Sequence, residues 1–349
     1  MVSRGDTVVA LSRKDAGGTR TRDAIQVAAL GCGLPLPSDW RSRVEVEHVD
    51  FGQLAATLPL RVLEGAQDVW NFAAEMAYSR QKIEDAVSQN VKATTTLYDL
   101  ASHTRGIERF NHVSTAYVSG TADGYLNEEL HRHPRFVNSY QISKWMGELA
   151  LAQSHALRGL PLTVLRPSIV IGHSATGWSS GGKFGFYMFL EGIRMVRDFG
   201  LDAVQVDIRP LAQVNLIPVD VVVARCLALA DSSQRSPFEI VHAVADGSLA
   251  AQEMSASITA LSGVAITFGP ERTPVDARFN RAFQANKSFA DETWHFGTAR
   301  IRRILGDRYV PFHMTQDILG RSIAAFLSHP RAEPHDTRAR FTPEQAHGA

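Results

Sequence analysis

Five strand-length apolar runs, at 7–11, 44–48, 68–72, 108–114 and 162–170, alternate along this chain with longer stretches of helical periodicity near 21–31, 52–64, 80–102 and 137–157. This alternation constrains the fold more than any other feature. Two strands joined through a helix run parallel, and successive crossover helices cover both faces of the sheet that they connect. The pattern therefore predicts an α/β fold, a doubly wound parallel sheet with helices on both sides.

Past residue 172 the pattern changes. A Gly/Ser-rich loop from Gly172 to Gly182 leads into Phe184-Gly-Phe-Tyr-Met-Phe189, and helices near 218–230, 249–262 and 315–328 surround a strand at 238–242. We read 1–173 as a nucleotide-binding domain and 174–330 as a smaller, mostly helical substrate lobe interleaved with its sheet. Residues 331–349 are polar and proline-bearing, as expected of a disordered tail. Lysine plus arginine number 36 and aspartate plus glutamate 36, so no global field draws the chain to nucleic acid or to an anionic membrane. The start lacks an apolar signal core, and Asp220 and Arg225 interrupt the run at 214–230, so no leader or membrane span is readable. Two cysteines, Cys32 and Cys226, make neither a disulfide framework nor a metal site, which fits a reducing cytoplasm.

Chemistry enters at Tyr140-Gln-Ile-Ser-Lys144, where a spacing of four puts phenol and ammonium on one helical face and lets the cation lower the phenol pKa. Upstream lies Val113-Ser-Thr-Ala-Tyr-Val118, a β-rich run ending in hydroxyls. Downstream lies Leu162-Thr-Val-Leu-Arg-Pro-Ser-Ile-Val-Ile-Gly172. A strand ending in a hydroxyl, a helix with Tyr and Lys, then a strand ending in Arg-Pro resembles the extended short-chain dehydrogenase/reductases. Ser143-Lys144-Trp145 with Glu148, and Arg158-Gly-Leu-Pro161 ahead of Arg166-Pro167, narrow the likeness to the thioester-reductase and fatty-acyl-CoA-reductase branch, also called the male-sterility type. Asn215-Leu-Ile-Pro-Val-Asp-Val-Val222 resembles the segment of that branch after its substrate loop. The matching blocks run from about Val8 to Val223.

The resemblance implies a Rossmann-like sheet holding NADP(H) at the carboxyl ends of its strands. It makes Tyr140 the general acid, with its pKa lowered by Lys144, and Lys144 the holder of the nicotinamide ribose. Thr115 would donate to the substrate oxygen as charge develops there. Ser114 competes for that role; strand alternation lets one of the two face the site, and the distance to Tyr140 favours Thr115. Arg13, ending the strand that selects between cofactors, suits a 2′-phosphate and hence NADP. Asp50 would meet the adenine amino group. Asn71 and Ala73 lie where small residues let the backbone approach the dinucleotide. Asn90 belongs to a segment resembling Asn-Val-x-Gly-Thr, with Ala93 in place of the glycine. Pro167, Ser168 and Ile169 would lie against the nicotinamide carboxamide.

The family also begins with a strand, a Gly-x-x-Gly-x-x-Gly turn and a helix, and that unit is absent from this sequence; its loss should leave a gap between the runs at 7–11 and 68–72. Gly177 to Lys183 has P-loop spacing, but Phe184 stands where a Ser or Thr hydroxyl is needed, and Gly31-Cys-Gly33 reads as a helix end. His131 and His133 read as a solvated pair, and no metal is expected. The reading is an NADP(H)-dependent reductase of an acyl thioester, carried on coenzyme A or a carrier protein, giving an aldehyde or alcohol. A sugar-nucleotide epimerase or dehydratase shares the Tyr-Lys chemistry, and a cofactor-sensing or structural relic is the rival of another class.

Overall fold

The structure, a computed structural model, describes residues 1–329 except 77, 122, 123, 133, 182 and 183. The tail at 331–349, His133 and Gly182-Lys183 lie outside the described residues. Four parallel strands form the main sheet in the order Phe238–Ala243, Leu162–Pro167, Arg109–Val113, Asp68–Asn71. A second parallel pair joins Val8–Ser12 to Val44–His48. Val8–Ser12 and Asp68–Asn71 share no ladder, so the parallel order is interrupted where the gap was expected.

Every residue of Leu162–Pro167 is buried, as an inner parallel strand covered on both faces requires. One face packs Leu162, Val164 and Phe110 against Leu151 and Tyr98 of neighbouring helices. The other packs Leu165 and Val241 against Leu229, Ile301 and Ile304. Helices on both faces make this the doubly wound α/β fold. A further cluster, centred on Leu190, Ile193, Val206, Leu216 and Leu319, fills the region around the aromatic stretch, which forms the helix Phe186–Asp198.

Two expected elements are broken. The run at 162–170 splits at Ser168. Its N–H is bonded to the Ala243 carbonyl in the main sheet, while the Ile169 N–H bonds Asn215, and Ile169–Ile171 then pairs with Leu216–Pro218. The helix expected over 52–64 is a series of short turns, because Pro59 pushes Leu58 into an extended conformation.

The helix Ser139–Arg158 carries the Tyr-Lys pair. Asn138 caps its start by accepting from the Gln141 N–H, and Gly159 ends it at φ 79°. It lies so close to the turn at Ser88–Ala93 that a Cβ on Gly147 would sit 2.7 Å from the Asn90 carbonyl oxygen. Gly147→Ala is therefore expected to cost about 1–3 kcal/mol by overpacking, read from the denaturation midpoint. An unshifted midpoint would show that the two segments part freely. Among the described residues no helix is long and apolar enough to cross a membrane.

Candidate active site

Three chain segments converge on a cavity of about 490 Å³: the end of Arg109–Val113, the first turn of Ser139–Arg158, and the handover at Pro167-Ser168-Ile169. Thr115 is extended, and its Oγ1 accepts from the Tyr117 N–H at 3.3 Å, so the residue caps the turn Ala116–Ser119. Its hydroxyl also hydrogen-bonds the Tyr140 phenol. Strand alternation does not separate the two hydroxyls as expected, because the strand ends at Val113: Ser114 lines the same cavity, its Oγ buried and without a partner among the described residues. Edge contact with Tyr78, ring centroids 6.1 Å apart, steadies the Tyr140 ring, and Tyr78 in turn meets Phe184 at 5.5 Å.

The phenol pKa is not lowered as expected. Burial pushes Tyr140 up to about 12, with the Thr115 hydrogen bond opposing the rise. The physical reason lies in where the ammonium points. Lys144 is almost fully buried, and its Nζ donates to the Val113 carbonyl at 2.7 Å and lies 3.3 Å from the His112 Nε2. Burial lowers its own pKa to about 8, and Glu148 opposes that shift. Glu148 in turn takes a bidentate pair from Arg166, Nε to Oε1 at 3.0 Å and a terminal nitrogen to Oε2 at 2.6 Å, with neither side chain exposed. His131 completes this chain, its Nε2 3.1 Å from Arg166. Burial, then the guanidinium charge, holds its pKa down to about 4, so it is a neutral acceptor and not one of a solvated pair.

A second cavity of about 310 Å³ opens along the ends of Val8–Ser12 and Asp68–Asn71, bounded by Arg13, Phe51, Asn71, Ala73, Ala74 and Thr94. Arg13 is exposed at its rim, and its carbonyl accepts from the Arg20 guanidinium at 2.6 Å. Asp15 fixes the start of the helix Thr19–Gly31 by accepting from the Arg20 and Thr21 N–H groups, so Arg13 and Arg20 form one basic corner. Asn71 turns inward: its Nδ2 donates to Thr94 at 3.0 Å and its Oδ1 accepts from the Ala73 N–H at 3.1 Å. Asp50 is exposed and uses Oδ1 to cap the turn Phe51–Gln53.

Thr115, Tyr140, Pro167, Ser168 and Ile169 thus meet at one cavity, and Arg13, Asn71 and Ala73 at the other. Lys144 and Asp50 line neither cavity, and Asn90 meets neither. It is wholly buried, and its amide is taken by both backbone polar groups of Glu75 and by Ser143, so it positions the loop after Asp68–Asn71 against the Tyr140 helix. A dinucleotide fits these residues: small Ala73 and Ala74 allow close approach, Arg13, with Arg20 bonded beside it, offers a cationic partner, and the Ser168 Oγ is buried without a hydrogen-bond partner among the described residues. Sequence reasoning missed Phe51, Tyr78 and His112. An isolated histidine inside a buried strand was a usable signal for His112; the aperiodic stretch around Tyr78 offered none.

Comparison with known proteins agrees with the fold. The profile of the male sterility protein family matches residues 3–226. Among solved structures, the terminal R domain from the myxalamid PKS-NRPS biosynthetic pathway is 20% identical with a TM-score of 0.73, covering 92% of this chain and 84% of that one. UDP-glucuronic acid 4-epimerase from Bacillus cereus in complex with NAD is 18% identical, TM-score 0.65, covering 92% and 90%. A short-chain dehydrogenase/reductase superfamily protein from Agrobacterium tumefaciens with bound NAD is 19% identical, TM-score 0.63, covering 92% and 97%. At these identities the likeness is one of fold. Comparison with curated proteins finds no match. With nearly two thirds of its length matched by the family profile and Thr115 and Tyr140 facing one cavity, the chain belongs to the male sterility protein family, the thioester-reductase branch of the extended short-chain dehydrogenase/reductases, and is an NAD(P)-dependent oxidoreductase.

Proposed function

We propose that the protein uses NADP(H) to reduce an acyl thioester. One observation carries this reading: among the described residues, the larger cavity is lined by apolar and neutral side chains alone, with Phe184, Phe186, Phe189, Phe268 and Ile258 in the same lining as Thr115 and Tyr140. An acyl chain needs such a wall. The diphosphate of a sugar nucleotide needs a cationic partner, which the described residues of that lining do not supply. The likeness to an R domain of a PKS-NRPS pathway further supports a carrier-bound substrate.

Reduced nicotinamide would supply a hydride to the carbonyl carbon. Tyr140, protonated at any working pH, gives its phenolic proton to the carbonyl oxygen as that atom gains charge, and Thr115 steadies the oxygen through its hydroxyl. The product is a hemithioacetal. Its C–S bond breaks as the hydroxyl proton is lost, releasing the aldehyde and a thiol. Lys144 would hold the ribose, and Arg13 with Arg20 would take the 2′-phosphate.

The test follows NADPH oxidation with a long-chain acyl-CoA, with the same acyl group on a carrier protein, and with a UDP-sugar. Oxidation driven by either thioester supports the reading; turnover of the UDP-sugar without thioester reduction overturns it. Cofactor choice is tested separately by titration. Arg13→Ala should weaken NADPH by roughly 1.5–3 kcal/mol, about ten- to a hundredfold in Kd, and leave NADH nearly unchanged, because only the phosphate loses a charge-assisted bond. Equal losses would make Arg13 structural.

A further inference from the structure

His112 lies wholly buried in the strand Arg109–Val113, directly beneath the site, and both of its ring nitrogens face donors. Its Nε2 is 3.3 Å from the Lys144 Nζ, and its Nδ1 is 3.4 Å from the Asn71 Nδ2. The Asn71 amide cannot be turned round to relieve this, because its Oδ1 is held by the Ala73 N–H. A neutral imidazole offers one acceptor and one donor. Two donors therefore cannot both be satisfied while Lys144 is an ammonium: Nε2 accepts from Nζ, the ring proton sits on Nδ1, and the contact with Asn71 is no hydrogen bond.

Removing one proton from Lys144 resolves the conflict. A neutral amine still donates to the Val113 carbonyl, and its lone pair accepts from Nε2–H. Nδ1 is then free to accept from the Asn71 Nδ2. We propose that His112 is the positioning residue for Lys144, holding it through a hydrogen bond whose direction reverses with the charge of the lysine. The reversal also makes or breaks the link to Asn71, and so ties the proton on Lys144 to the Ala73 wall of the dinucleotide groove.

The charges around the pair are consistent with this. Burial and then the Lys144 charge hold His112 well below the ordinary histidine pKa, so the ring stays neutral throughout. Lys144, lowered to about 8 by burial and supported by Glu148 on its own helix, is the group that titrates. Tyr140, one turn away and held up to about 12, keeps its proton over the same range.

The inference uses the site proposed above, but its test needs neither cofactor nor turnover. In the full chain labelled with 15N-histidine, imidazole proton–nitrogen correlation spectra report the tautomer of each of the thirteen histidines, and His112→Gln identifies the signal that it deletes. The His112 ring is expected to remain neutral and to pass from mainly Nδ1–H to mainly Nε2–H as pH rises through about 8. Lys144→Met should abolish that change, and Asn71→Leu should hold the Nδ1–H form to higher pH by removing the donor that rewards its loss. A tautomer that stays fixed from pH 6.5 to 9.5, or a ring that titrates to the cation in that range, overturns the proposal, whatever the thioester assay gives.

Discussion

Tyr140→Phe is expected to lower turnover by about two to four orders of magnitude, the usual scale of general acid catalysis, while leaving the fold intact. The ring keeps its edge contact with Tyr78, and the single hydrogen bond lost is the one shared with Thr115. A phenol at about 12 is a protonated acid under all working conditions, which is the form that reduction needs. The reverse, oxidative direction would need the phenolate, so with the enzyme otherwise unchanged its rate should climb with pH well beyond that of the reductive one. Initial rates of both directions across pH check this. A Phe variant turning over at near wild-type rate would remove Tyr140 from the chemistry, and Thr115→Val then becomes the discriminating variant, since the alkoxide would be served by that hydroxyl.

The largest effect on stability is expected at Glu148. Its pair with Arg166 is fully buried, and removing one partner leaves the other as an unpaired charge out of water, at a cost on the order of 3–5 kcal/mol. Set against the ~5–15 kcal/mol that holds a typical domain together, Glu148→Ala should bring the protein near its folding threshold at moderate temperature. Replacing both partners with apolar residues of similar volume, Glu148→Leu with Arg166→Met, should recover most of the loss, because the desolvation penalty disappears with the charges. Denaturant midpoints of the single and double variants measure this. A double variant as unstable as the single one would mean that shape, not charge, is what the pair contributes. Glu148→Ala should also lower the Lys144 pKa further, since the carboxylate is the group that opposes the burial shift.

The fold was legible because period and length agreed over long stretches. Val44–His48 and the helix around Tyr140 form as their patterns dictate, since each presents one apolar face to a sheet or core. What the pattern hid was local chemistry. Pro59 broke a helix whose periodicity looked continuous, and the strand through Ser168 changes partners in the middle of one strand-length run, which no periodicity can register. The aromatic stretch opens the helix Phe186–Asp198, an outcome that an all-apolar run does not reveal because it carries no alternation by which to choose between helix and strand. At the site, residue types and spacing pointed to Thr115, Tyr140 and Lys144, but the ammonium's direction depended on a strand carbonyl and an imidazole 31 and 32 residues away in the chain. Side-chain hydrogen bonds of that kind leave no mark on one-dimensional spacing.

The change of partners at Ser168 has a mechanical meaning. The strand that leaves the main sheet there is the same one that enters the pair with Leu216–Pro218, and the larger cavity spans the seam. A molecule seated in it touches both layers at once and acts as a rivet between them. Pulling the layers apart must first eject it, so occupancy should raise the melting temperature in proportion to the logarithm of concentration, by about 2.7 kcal/mol of added stability at a hundredfold excess over Kd. Thermal shift with thioesters of increasing chain length would then rank ligands by how far they bridge the seam, with no reaction required.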